Sequence, residues 1–139
     1  MHQESADDFE DETDAWLAAG PGHWRGVVPV DLNGDGVLDV VATRWGAAPA
    51  IFLSEGCTAA GWLAVAAPVG SVVELEVAGT LRRAWVTADT GYGAAREPHV
   101  WFGLGPERAV DALRVRLPHG TTVEEGPLAA RRWVRVVAD

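Results

Sequence analysis

Val110, Leu113, Val115 and Leu117 alternate with Asp111, Arg114 and Arg116, which predicts a strand over 110–117 with its Val and Leu side chains inward. The same period of two runs through Val73, Glu74, Leu75, Glu76 and Val77 and, in part, through 81–86. Ala78, Gly79 and Thr80 join these two runs as a hairpin, in which Glu74 and Glu76 would face Arg82 and Arg83 as opposite charges. Short apolar or β-branched runs predict further strands at 26–30, 37–43, 50–53, 61–65, 98–105, 121–125 and 133–137. Turns are marked by Gly46, Gly56, the Thr90 to Gly93 loop and Pro118-His119-Gly120. Residues 1–8 read as disordered and solvated, and 9–17 begin either a short helix or an extended lead-in that ends at Gly20-Pro21-Gly22. The expected class is all-β.

Between the first two strands the pattern changes. Side-chain oxygens recur at Asp31, Asn33, Asp35 and Asp39, with Gly34 and Gly36 among them. Ca²⁺ takes six to eight oxygen ligands at roughly 2.3–2.6 Å, and a tight loop of alternate carboxylates can supply them. Gly36 permits the positive φ that would turn the Val37 carbonyl inward as a ligand. Three carboxylates brought together repel one another unless a cation lies between them. The candidate Ca²⁺ ligands are therefore Asp31, Asn33, Asp35, Val37 and Asp39. An EF-hand is excluded, because its twelfth position must carry a bidentate Glu and here holds Ala42, and because the flanks read as strands. The competing reading is a β-turn rich in Asx and Gly with no ion, but a plain hairpin needs only Asn-Gly or Asp-Gly.

Composition narrows the function classes. The chain has 139 residues, 48% of them hydrophobic, which suffices for a real core in one or two small domains. The formal net charge is −9, all eleven basic residues are Arg, and seven of the twenty acids lie within residues 1–14. Nucleic acid is not an expected partner, since phosphates need a basic surface. Cys57 stands alone, so no internal disulfide is possible; it reads as a small buried residue or a free thiol. No signal peptide is visible, and no apolar run is long enough to insert into a membrane.

Residues 9–56 resemble one FG-GAP/VCBS-type repeat, the calcium-loop blade of integrin-like propellers and many bacterial secreted proteins. The resemblance rests on Phe9, Asp11 and Thr13, on Trp24-Arg25-Gly26, on the 31–39 loop and on Ile51-Phe52-Leu53. After a linker at 57–60, residues 61–139 resemble the ASPIC/UnbV domain, which follows such repeats in the family that includes the cartilage acidic proteins. Here the matching residues are Trp62-Leu63, Gly91-Tyr92, Phe102-Gly103-Leu104-Gly105, Val110-Asp111 and Leu117-Pro118-His119-Gly120. The segment 65–72 departs from that pattern by being short, and Gly93-Ala94-Ala95 follow Tyr92 where a Ser is more usual, so no role for that Ser carries over. The resemblance implies one β-propeller-blade-like repeat with a calcium loop, then a small antiparallel β-sandwich or barrel. It also implies an extracellular or periplasmic protein, and because a lone blade cannot close a ring by itself, the chain is expected to be a C-terminal fragment or a truncated gene product.

A single blade cannot bury both of its faces. Val27, Val40, Ile51 and Leu53 are therefore expected to contact the 61–137 sheet, or to meet upstream blades or another protomer. Catalytic signals are thin. His2, His23, His99 and His119 show no zinc spacing, and Ser5, Ser54 and Ser71 lie in no Gly-x-Ser-x-Gly turn. The expected function is a non-enzymatic calcium-binding interaction or adhesion module with calcium acting structurally. The alternative is an accessory domain of a secreted or biosynthetic system that binds carbohydrate, through a lectin-like surface on Trp45, Trp85 or Trp101, or a partner enzyme. Against that stands the reading of Trp62, Trp85, Trp101 and Trp133 as core filling.

Overall fold

A computed structural model describes residues 2–5, 8–10, 20, 22–55 and 59–137. The sequence motifs at 11–19, and Cys57, lie outside them. The described residues are all-β. At the start, β1 (His2–Ser5) pairs antiparallel with β2 (Asp8–Glu10), with Gln3 opposite Phe9. Residues 1, 6 and 7 of the segment expected to be disordered lie outside the described residues.

Three strands make the first sheet, in the order β3 (Trp24–Val30), β4 (Asp39–Arg44), β5 (Ala50–Phe52), all antiparallel. Val37 and Leu38, expected as strand, belong to the loop, and Leu53 lies just past β5. The remaining strands are β6 (Gly61–Ala66), β7 (Val72–Val77), β8 (Thr80–Trp85), β9 (Asp89–Gly91), β10 (Ala94–Ala95), β11 (His99–Gly105), β12 (Ala109–Val110), β13 (Ala112–Arg116), β14 (Thr122–Glu125), β15 (Leu128–Ala129) and β16 (Arg132–Arg135). One sheet has the order β11-β6-β16 and another β14-β13-β7-β8. The pairing of β16 with β6 is parallel, whereas every other strand pairing among the described residues is antiparallel. Local pattern could not reveal it, because the two strands are far apart in sequence.

Both of these sheets turn their apolar side chains into one buried cluster. Leu63 and Val65 of β6, Val100, Phe102 and Leu104 of β11, Val73, Leu75 and Val77 of β7, and Leu113 and Val115 of β13 all belong to it. Fully burying each such Val or Leu contributes about 1.5–3 kcal/mol. The hairpin between β7 and β8 turns on Ala78 (φ 48°) and Gly79 (φ 72°), the two positive φ values of a type I′ turn. It sets Glu74 opposite Arg83, and the two form an ion pair. Arg82 faces Leu75 and donates instead to the Gly103 carbonyl, while Glu76 faces Leu81.

No Trp belongs to that cluster, which corrects the core-filling reading. Trp85 is 62% exposed and Trp133 44%, and Trp62 and Trp101 are half-buried. Ala64, fully buried in β6, lies opposite Trp101 on one side and Trp133 on the other. Its small side chain lets the two indoles meet edge to face, with centroids 5.7 Å apart. Trp62, two residues earlier on the same face, stacks on Trp101 at 4.5 Å. The Trp side chains thus cover the outer face of β6 while Val and Leu fill the inner one.

The first sheet contributes little to any core. Ala42 is its one buried apolar side chain among the described residues, whereas Val27 is 48% exposed and Ile51 and Leu53 are each 60%. Val27, Ile51 and Leu53 therefore do not find cover on the second part. The sheet meets that part at β9 and β10: a Cβ on Gly26 would lie 2.7 Å from the Ala94 side chain and 3.1 Å from the Tyr92 carbonyl. Only glycine allows the β3 backbone so close to the β9–β10 turn.

Candidate metal centre

Pairing of Val30 with Asp39 closes the ladder between β3 and β4, and the loop 31–38 spans that closure. Gly34 (φ 76°) and Gly36 (φ 87°) supply the left-handed turns that bring its ends together. The loop's oxygens hold its own amides. Asp31 Oδ1 accepts from the Gly34 N–H at 2.8 Å and its Oδ2 from the Gly36 N–H at 3.0 Å. Asn33 Oδ1 accepts from the Asp35 N–H at 3.0 Å, and its amide nitrogen donates to Asp35 Oδ2 at 2.9 Å. Asp35 Oδ1 accepts from the N–H of Val37 at 2.8 Å.

Asp39 is the buried member, with 0% exposure. Its Oδ2 accepts from the Leu32 N–H and its Oδ1 from the Ser54 N–H, both at 2.8 Å. The Ser54 hydroxyl donates in turn to the Leu38 carbonyl at 2.8 Å. One carboxylate thus joins the loop, the start of β4 and the segment after β5. No ion pair of the described residues includes Asp39. A buried carboxylate with neutral donors alone is costly, and buried charges are ordinarily paired or metal-bound.

Asp31, Asn33, Asp35, Val37 and Asp39 are thus brought into one loop. Their carboxylates are turned onto amides rather than gathered at one point: among the described residues no three His, Cys, Asp or Glu side chains form a metal cluster. The donor set nonetheless fits a hard cation. Each side-chain oxygen of Asp31, Asn33, Asp35 and Asp39 has two lone pairs and accepts one of the hydrogen bonds above, so each retains a lone pair for a metal.

Two contacts of the loop were not legible from spacing. Ser54 lies fifteen residues beyond Asp39, and no local motif joins them. Trp62 is the other: a Cβ on Gly36 would sit 2.1 Å from its indole nitrogen. That nitrogen is buried and has no hydrogen-bond partner among the described residues. Elsewhere, His99 is buried in β11, as a packed strand histidine should be. Its Nδ1 lies 2.8 Å from the Glu97 carbonyl and its Nε2 3.1 Å from Arg96 Nη1, so Nδ1 carries the proton and Nε2 accepts. Burial, aided by the Arg96 charge, lowers its pKa from the ordinary 6.5.

A search of curated proteins finds no match to the chain. The family profile described as ASPIC and UnbV matches residues 65–139, from within β6 to the last residue, and leaves the 31–39 loop outside the match. That match covers more than half of the sequence, and the chain belongs to the ASPIC and UnbV family.

Proposed function

We propose that the 31–39 loop binds Ca²⁺ and that the cation acts structurally within a non-enzymatic interaction module of an extracellular or periplasmic protein. The observation that carries this reading is Asp39: a fully buried carboxylate held by two amides with no cationic partner among the described residues. A bound divalent cation would supply the missing positive charge. Asp31, Asn33 and Asp35 add hard oxygen donors on the same loop, and the Val37 carbonyl is the candidate backbone ligand. The resemblance of residues 9–56 to an FG-GAP/VCBS-type repeat points the same way.

In this reading the first sheet, with little apolar burial of its own, depends on the cation for its order. Its exposed Val27, Ile51 and Leu53 suit a protein partner, a neighbouring blade or a second copy. Calorimetric titration of Ca²⁺ into the chelator-stripped chain tests the assignment. One bound equivalent is expected, with binding abolished in Asp35→Asn, which keeps an acceptor for the Val37 amide but removes the charge. No binding by the wild type, or equal binding by the variant, would rule the assignment out.

A further inference from the structure

A second surface lies away from the metal loop. Trp24, Arg25, Trp45 and Tyr92 line an open cleft of about 560 Å³ where the first sheet meets the β9–β10 turn. That volume is in the range of small-ligand sites. Trp45 is 73% exposed and Tyr92 77%, the two most exposed aromatic side chains among the described residues. Exposed rings of this size on one surface mark a binding site more often than a lone apolar residue does.

Backbone contacts hold the walls. The Trp45 N–H donates to the His23 carbonyl at 3.0 Å, which fixes the turn after β4. Gly26 seats the β9–β10 turn against β3, and with it Tyr92. Arg44 lies over the Trp24 ring at 4.9 Å and is tethered to the Ala48 carbonyl by two hydrogen bonds of 3.2 Å. The Trp24 ring is thus packed by Arg44, and the backbones that carry Trp45 and Tyr92 are held in place.

We infer that this cleft binds a pyranose ring of a polysaccharide, stacked on Trp45 and Tyr92. A pyranose has an apolar C–H face and a rim of hydroxyls. The aromatic faces match the first, and the Arg25 N–H groups and Tyr92 hydroxyl match the second. A nucleic acid would offer stackable bases too, but this chain carries a net charge of −9. No residue of the 31–39 loop lines the cleft, so the inference stands apart from the calcium assignment.

The test is titration of the full chain with cellohexaose, chitohexaose and hexagalacturonate, and with decaproline as the rival aromatic-groove ligand. At least one hexasaccharide is expected to bind. Trp45→Ala and Tyr92→Ala should each weaken that binding by about tenfold. Trp85→Ala, which removes another exposed indole outside the cleft, should leave it unchanged. Binding to none of the hexasaccharides, binding to decaproline alone, or undiminished binding in both cleft variants would overturn the inference.

Discussion

The indole nitrogen of Trp62 occupies the space that a side chain on Gly36 would need, 2.1 Å from the Cβ position. Gly36 belongs to the acidic loop and Trp62 is the second residue of β6, so this contact joins the candidate metal centre to the strand in which the family match begins. From Trp62 the packing continues through Trp101 and Trp133 to His99, whose ring meets Trp133 at 5.1 Å. The loop is therefore linked to the outer face of the second part by a continuous series of contacts.

Gly36→Ala and Gly34→Ala should separate packing from backbone strain. Both positions have positive φ, so each substitution costs roughly 1–2 kcal/mol. A Cβ on Gly34 meets nothing within 4 Å, whereas one on Gly36 runs into Trp62. Gly36→Ala is expected to cost a further 1–3 kcal/mol or so. Urea denaturation measures both, and the extra cost should vanish in a Trp62→Ala background. Equal costs for the two alanines would show that the Trp62 contact is not close.

Ala64 is the second probe of the aromatic layer. Its side chain is fully buried between Trp101 and Trp133, where nothing larger fits without separating the indoles. Ala64→Leu is expected to destabilise by about 1–3 kcal/mol and to raise the exposure of Trp133 to a soluble fluorescence quencher. An unchanged midpoint and unchanged quenching would mean that the outer face of β6 is loosely covered.

Much of this architecture was readable where one face of a strand is buried and the other is not. The alternation at 73–77 and 110–117 placed β7 and β13 because a period of two repeats against a single core. Even there, Asp111 interrupts the second run: its N–H donates to the Glu76 carbonyl between β12 and β13. The short strands β9, β10, β12 and β15 span too few residues to show a period. The Trp residues misled for a different reason. Size and apolarity suggest the core, but Val and Leu from two sheets already fill it, and the indoles were left to cover β6 from outside. The acidic loop was legible because its donors are close in sequence. Its ties to Ser54 and Trp62 were not, because they depend on how distant strands pack.

His99 should make stability depend on pH. Its folded pKa lies below the 6.5 of the unfolded chain, because burial and Arg96 disfavour the charged ring. Below pH 6.5 the unfolded state therefore binds more protons, and stability falls as the pH drops through the folded value. Protonation would also set an N–H on Nε2 against Arg96 Nη1. Melting midpoints between about pH 7.5 and 5 should fall more steeply for the wild type than for His99→Gln. Parallel curves would assign the acid sensitivity to other groups.

Asp39→Ala should be the most damaging change in the loop. It leaves the amides of Leu32 and Ser54 without their acceptor and frees the segment after β5 from the start of β4. Unmade buried hydrogen bonds cost about 1–3 kcal/mol each. Asp39→Asn keeps one carbonyl acceptor and should lose less stability without added metal. Hydrogen exchange at the Leu32 and Ser54 amides would report the loss directly, and unchanged protection in Asp39→Ala would refute these bonds.

The most direct measurement of the central claim is the thermal midpoint of the chelator-stripped chain as a function of Ca²⁺ concentration. A cation that binds only the folded state stabilises it by RT ln(1 + [Ca²⁺]/Kd), about 2.7 kcal/mol at a hundredfold excess over Kd. The midpoint of the wild type should therefore rise with the logarithm of Ca²⁺ concentration above Kd, while that of the Asp31→Asn/Asp35→Asn variant stays flat. A wild-type midpoint that does not move with Ca²⁺, or an equal rise in the variant, would contradict a calcium-stabilised loop.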